Sequence, residues 1–170
     1  MGDLAEAAWA AVMGREMIVL VGLQASGKST FYRAHFASSH VLVSKDLLRN
    51  SHRPARRQVQ LIEQALAAGH SVVVDNTNPT VADRADLIAL GRRFDSRVIG
   101  YYFASEMLHC LTRNERRTGR ARVPDVALYA TMGWLVRPSY AEGFDSLFFV
   151  RLADEGAFVM EPWAGELTEP

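Results

Sequence analysis

The chain is poor in cysteine, in lysine and in long apolar runs. Of its 170 residues one is a cysteine, Cys110, which excludes an intramolecular disulfide and any metal site built from cysteines. Its place in a helical pattern reads as a small core residue. No stretch approaches the about 18–20 consecutive apolar residues that cross a bilayer, so no membrane partner is expected. The first residues carry Asp3 and Glu6 without a positive stretch and do not read as a signal peptide. A net charge of zero gives no global attraction to a polyanion. Together these absences predict a soluble, cytoplasmic protein of one compact domain. Its 49% hydrophobic content is ample for a core.

Lysine occurs only as Lys28 and Lys45, against 17 arginines. The arginines gather in two stretches, Arg49 to Arg57 and Arg113 to Arg122. Local clusters on a neutral chain suggest confined phosphate sites, although the first reads equally well as a solvated helix face. Residues 153–170 form an acidic tail, with Asp154, Glu155, Glu161, Glu166 and Glu169 and no base.

Apolar runs alternate with helical patterns. Met17–Val21, Val41–Val43, Ser71–Val74, Arg97–Phe103 and Ser146–Leu152 read as five strands. Their near-continuous Val, Ile and Leu content implies burial on both faces, hence a parallel sheet covered by helices. Helices are expected at residues 4–13, Lys28–Phe36, Pro54–Ala68, Val81–Phe94, from Ser105 to about Arg117, and Val126–Leu135. Thr80 with Asp83 supplies an N-cap, Gly69 a C-terminal stop, and Pro124 a helix start. The expected fold is a three-layer α/β domain over residues 15–152, preceded by an N-terminal helix over 1–14 and followed by the acidic tail.

Residues Gly22-Leu23-Gln24-Ala25-Ser26-Gly27-Lys28-Ser29 spell G-x-x-x-x-G-K-S between a buried strand and a helix, the context this motif requires. Its successive backbone N–H groups make an anion nest, and the helix N-terminus, with Thr30 in its first turn, adds partial positive charge. Lys28 is placed for the β- and γ-phosphates of a nucleoside triphosphate such as ATP, and the Ser29 hydroxyl for Mg²⁺. Ser71–Val74 runs into Asp75, a strand-end acid that would hold Mg²⁺ directly or through water. Asn76 follows it, where motor ATPases usually carry a water-activating Glu. No Asn-Lys-x-Asp element for guanine is present either. A phosphotransferase therefore fits better than a motor or a GTPase switch.

Such a reaction needs a carboxylate for the acceptor hydroxyl. Asp46 follows the strand Val41–Val43, and Arg49 lies one turn on. The pair can offer a base and a phosphate contact together; it also reads as an N-cap aspartate with a solvated arginine. The second arginine cluster, about residues 113–123, spans a helix end and a loop and reads as a lid that neutralises the transferring phosphate. A helix C-terminus alone would account for one or two of these five arginines. Arg113 and Arg117, four apart, are expected to face the nucleotide, and Arg116 to face away.

The segments GLQASGKST, VSKDLLRN, VVVDNTNP and TRNERRTGRARVPDVALY stand in the order found in the 5′-hydroxyl polynucleotide kinase family, which this chain resembles from about Met17 to Leu152. The resemblance implies an adenylate-kinase-like P-loop core with a five-stranded parallel sheet. It implies Asp46 as general base for the 5′-hydroxyl and Arg49 on the phosphate 3′ of the acceptor nucleoside. It places Asp75 near the metal, Arg113 near the base or nucleotide, and Arg117 on the phosphates. Asn78 of the DNTNP element and Arg84 beyond it are expected on the substrate side. Lys45 stands where the family commonly has arginine, and the Asp-x-Asp-x-Thr motif of a partner 3′-phosphatase is absent. The expected partners are ATP and a 5′-hydroxyl DNA or RNA end. A small-molecule acceptor, or a nucleotide-binding module without transfer, are the alternatives.

Overall fold

The computed structural model describes residues 14–153 and 156–164. Six strands form one sheet: β1 (Glu16–Val21), β2 (His40–Val43), β3 (Ser71–Asp75), β4 (Arg97–Phe103), β5 (Ser146–Leu152) and β6 (Phe158–Pro162). Their order is β2-β3-β1-β4-β5-β6. The first five are parallel, in a register that pairs Ile18 with Val73 on one side and Ile99 on the other. Among the described residues five α-helices connect or cover them: α1 (Lys28–His35), α2 (Pro54–Ala67), α3 (Val81–Arg93), α4 (Met107–Glu115) and α5 (Asp125–Trp134).

The expected α/β three-layer architecture is the observed one. From Met17 to Val21, β1 is completely buried, because helices cover both of its faces. One core packs Met17, Val19, Val72 and Val74 against Ile62 and Leu66 of α2 and Leu87 of α3. The other packs Ile18, Leu20 and Val73 against Phe31 of α1 and Phe103 of β4. Helix α3 starts at a full capping box between Thr80 and Asp83.

The strand count is corrected from five to six. Residues 158–162, read as part of an acidic tail, form β6, antiparallel to β5. Phe158 and Val159 of this strand are part-buried and its last three residues exposed; Phe158 joins the aromatic cluster around Phe31, with ring centroids 5.1 Å apart. The strand's apolar run, Phe158-Val159-Met160, is short and gives way to Glu161 and Pro162 on a half-exposed edge, so it reads as part of the tail. The expected N-terminal helix over residues 4–13 lies outside the described residues, as do Asp154, Glu155, Glu166 and Glu169.

Sheet order reverses at β1, whose neighbours are β3 and β4. The connections leaving β1 and β3 at their carboxyl ends part there and open a crevice, where ligands bind in open α/β sheets.

Candidate active site

The loop from β1 to α1 lies in that crevice. Gly22, Ala25 and Gly27 have φ of 150°, 62° and 102°. At Gly22 a Cβ would fall 3.0 Å from the Phe103 Cβ and 3.1 Å from Ser26 Oγ, so a side chain has no room there. Such alternation of left- and right-handed residues turns successive N–H groups into one concavity. Both neighbouring strands pin the loop. Gly22 N–H donates to the Thr77 carbonyl after β3 at 3.0 Å. Leu23 N–H donates to Ser105 Oγ after β4 at 3.1 Å. Ser105, expected as a helix cap, serves the loop instead, and Glu106 occupies the N-cap of α4. On the other side, the Phe158 ring lies 3.3 Å from where a Gly27 Cβ would stand, so β6 backs the loop.

Lys28 is buried, and its Nζ donates to the carbonyls of Gly22 at 2.9 Å and Leu23 at 2.5 Å and to Ser26 Oγ at 3.3 Å. Burial pushes its ammonium down to about 8, with the Asp75 carboxylate pulling the other way. Ser29 Oγ donates to Asp75 Oδ2 at 2.6 Å. The two side chains meet across the P-loop although 46 residues separate them. This hydroxyl and carboxylate are hard oxygen donors. No group of three or more His, Cys, Asp or Glu among the described residues could hold a metal. That donor set fits Mg²⁺, which takes one or two protein oxygens and completes its shell with phosphate oxygens and water.

From the loop a cleft of about 990 Å³ extends over the ends of β3 and β2. Lys28, Ser29, Thr30, Asp46, Arg49, Asp75 and Arg117 all line it, together with Gln24, Ala25 and Gly27. Asp46 sits in a 3₁₀ turn, Lys45–Leu48, not in an α-helix. The N-cap of that turn is Ser44, whose Oγ accepts from Asp46 N–H at 3.2 Å. The Asp46 carboxylate is therefore not used as the cap. It is 79% exposed and accepts from Arg49 Nη2 at 2.9 Å. Asn76 holds this turn against β3: its Oδ1 accepts from Lys45 N–H at 2.9 Å, and its Nδ2 donates to Gln58 at 2.7 Å. The residue noted in the sequence only for not being Glu thus positions the acid.

The segment expected to form a lid is tied at its base by buried Asn114, whose Nδ2 donates to the Val123 carbonyl at 2.7 Å and whose Oδ1 accepts from Val123 N–H at 3.1 Å. Arg117 lines the cleft, with Nη1 donating to the Ala121 carbonyl at 3.3 Å. Arg113 Nε donates to the Ala25 carbonyl at 2.7 Å, so this arginine grips the back of the phosphate loop. Exposed Arg116 is the C-cap of α4. Arg49 Nη1 reaches the Arg120 carbonyl at 3.3 Å, joining the Asp46 turn to the segment after α4.

Asn78 and Arg84 have their side chains committed elsewhere. Asn78, at φ 44°, donates to the Leu20 carbonyl at 2.7 Å. Arg84 is completely buried in a two-point pair with Glu142 at 2.7 and 2.9 Å. Its Nη1 donates to the carbonyls of Asn78, Pro79 and Val136. The Arg84 guanidinium is spent on holding the loop after β3, which corrects the expectation that it faces substrate.

Among the described residues, no helix is long and apolar enough to cross a membrane. Three likenesses to known proteins bear on this cleft. The bifunctional polynucleotide phosphatase/kinase of Schizosaccharomyces pombe is 26% identical over 137 residues, covering 78% of this chain and 33% of that protein. The L-seryl-tRNA(Sec) kinase of Methanococcus maripaludis is 28% identical over 116 residues, covering 59% of this chain and 46% of that one. The chain thus spans between a third and a half of the length of these relatives. In fold it is similar to Chaetomium thermophilum Kti12, solved with ADP-AlF3, at a TM-score of 0.65 and 18% identity, over 82% of this chain and 90% of that one. Residues 17–138, from the first buried strand to just beyond α5, match the family AAA_33, described as an AAA domain, and the chain belongs to that family on a P-loop kinase fold.

Proposed function

We propose that the chain transfers the γ-phosphate of ATP to the 5′-hydroxyl of a polynucleotide, DNA or RNA. The observation that carries this reading is the Asp46–Arg49 pair, 2.9 Å apart in the cleft that also holds the phosphate loop. One carboxylate for a hydroxyl and one guanidinium for an adjacent phosphate suit an acceptor that carries both groups. Beyond them, at the start of α2, Arg53, Arg56 and Arg57 are all exposed and can follow further backbone phosphates. The similarity to a polynucleotide phosphatase/kinase supports the same acceptor.

On this reading each group around the cleft has a role. Amides of residues 22–30 and the Lys28 ammonium bind the β- and γ-phosphates, while Arg113 holds the loop in shape through the Ala25 carbonyl. Mg²⁺, held by Ser29 and by Asp75 directly or through water, would supply positive charge to the same phosphate oxygens. Asp46 accepts the proton of the 5′-hydroxyl as that oxygen forms its bond to the γ-phosphorus. The bond from the γ-phosphorus to the β–γ bridging oxygen breaks, and ADP leaves with the electron pair. Lys28 and Arg117 stabilise the charge that gathers on the bridging and equatorial oxygens. Asn78 shapes the loop beside the acceptor.

The test is incubation with labelled ATP, Mg²⁺ and oligonucleotides ending in 5′-hydroxyl or 5′-phosphate. Label is expected on 5′-hydroxyl ends alone. No label on any 5′-hydroxyl DNA or RNA end would overturn the proposal. A small acceptor is the second reading, because one carboxylate beside one guanidinium also suits a small molecule that carries a hydroxyl next to a phosphate. The two separate on oligomer length: kcat/KM rises with length for a polynucleotide acceptor and stays flat for a small one.

A further inference from the structure

Trp134 is the last residue of α5 and lines the cleft, yet it is 65% exposed. A large aromatic left uncovered at the wall of a polar cleft points to a ligand with an apolar face. None of the ring-to-ring contacts among the described residues involves Trp134, so no protein ring covers it.

Its place in the fold says which ligand. In the order β2-β3-β1-β4-β5-β6, the Asp46 turn follows β2 and the loop from Asn76 to Thr80 follows β3, both on one side of the phosphate loop. Two residues after Trp134, Val136 is fastened to that side twice. Its N–H donates to the Pro79 carbonyl at 2.8 Å, and its carbonyl accepts from Arg84 at 3.0 Å. Trp134 therefore belongs to the half of the cleft where the acceptor enters. Leu47, next to Asp46 and 70% exposed, is the other large apolar side chain left uncovered on that wall.

We infer that Trp134 is a stacking platform for the 5′-terminal base of the acceptor and so sets a requirement for a base at the reacting end. The inference rests on the polynucleotide reading above. Stacking on an indole is tolerant of base identity, because every base has a π face, and it adds to the phosphate contact of Arg49. The terminal nucleoside would be held at its phosphate and at its base, with the hydroxyl between them directed to Asp46.

The experiment compares two oligonucleotides of one sequence, one with a normal 5′-terminal nucleoside and one with an abasic 5′-terminal deoxyribose, both bearing a free 5′-hydroxyl. The full chain is assayed as wild type, Trp134→Ala and Trp134→Phe. Wild type is expected to show a KM about tenfold lower for the normal end, the size of one stacking contact. Trp134→Ala should lose that preference by raising KM for the normal end to the abasic value, with kcat and the KM for ATP close to wild type. Trp134→Phe should keep most of it. A preference that survives in Trp134→Ala overturns the inference. A shift confined to the KM for ATP also overturns it, by placing the indole on the donor. Transfer that ignores the terminal base overturns the stacking and leaves the polynucleotide reading intact. No transfer to either end removes both.

Discussion

Asp46 gains nothing from burial: its carboxylate is 79% exposed and its chief partner is one arginine. Its proposed value lies in position, which Asn76 and Ser44 fix through the backbone of the turn. Asp46→Asn keeps the shape and removes the proton acceptor. The expected loss in kcat is at least about 10²-fold, the range of general-base contributions. Affinity for ATP should hold if Asp46 serves the acceptor as proposed. A variant with most of its kcat would show that the carboxylate only orders Arg49. For Arg117→Ala the expected loss in kcat is about 10³-fold or somewhat less, the low end for an arginine that stabilises transferring phosphate. Arg117→Lys should recover part of it, since a point charge lacks the planar fork. Exposed Arg116 should tolerate Ala with kcat and KM for ATP near wild type. A crippled Arg116→Ala beside a healthy Arg117→Ala would reverse the assignment of the helix faces. Lys28, Ser29, Asp75 and Asp46 were legible in the sequence because short motifs and strand ends mark them. Ser105 and Asn76 were not, because their partners lie 82 and 31 residues away and no local pattern records them.

At the scale of elements, buried strands declared themselves. The runs Arg97–Phe103 and Ser146–Leu152 are strands over those same residues, because apolar side chains facing two helical layers leave an unbroken signature. Strand β6 left only the short run Phe158–Met160, broken by Glu161 and Pro162 at an exposed edge. The Asp46 turn was readable as a start of helix but not as 3₁₀, and its cap is Ser44 and not Asp46. The loop after β3 depends on α3 through Arg84, whose one guanidinium ties Asn78, Pro79, Val136 and Glu142 together. Arg84→Met should cost about 3–5 kcal/mol in urea unfolding, because it strands the Glu142 carboxylate in the interior. The double variant Arg84→Met with Glu142→Leu should recover much of that loss. If the single change moves stability by less than about 1 kcal/mol, the pair is not what fastens this loop.

Over the whole molecule, charge is spent locally. The chain is neutral, yet four arginines from three parts of the sequence line one cleft: Arg33 of α1, Arg49 beside the Asp46 turn, and Arg117 and Arg120 after α4. Confined binding of a chain end suits this distribution better than coating of a long duplex. Arginine has been used almost everywhere a cation is needed. Both lysines of the sequence, Lys28 and Lys45, line the same cleft, one buried and the other exposed. Among side chains, then, amine chemistry on this protein has a single address. An acylating reagent should add at Lys45 first, and mass spectrometry after digestion would locate the modification. ATP with Mg²⁺ should shield Lys28 and a 5′-hydroxyl oligonucleotide Lys45; modification of Lys45 unaffected by saturating oligonucleotide would put the acceptor elsewhere. For the same reason random coupling through lysine, to a bead, a dye or a surface, attaches the protein by its own reaction chamber, whereas a guanidine-directed reagent would scatter over 17 sites.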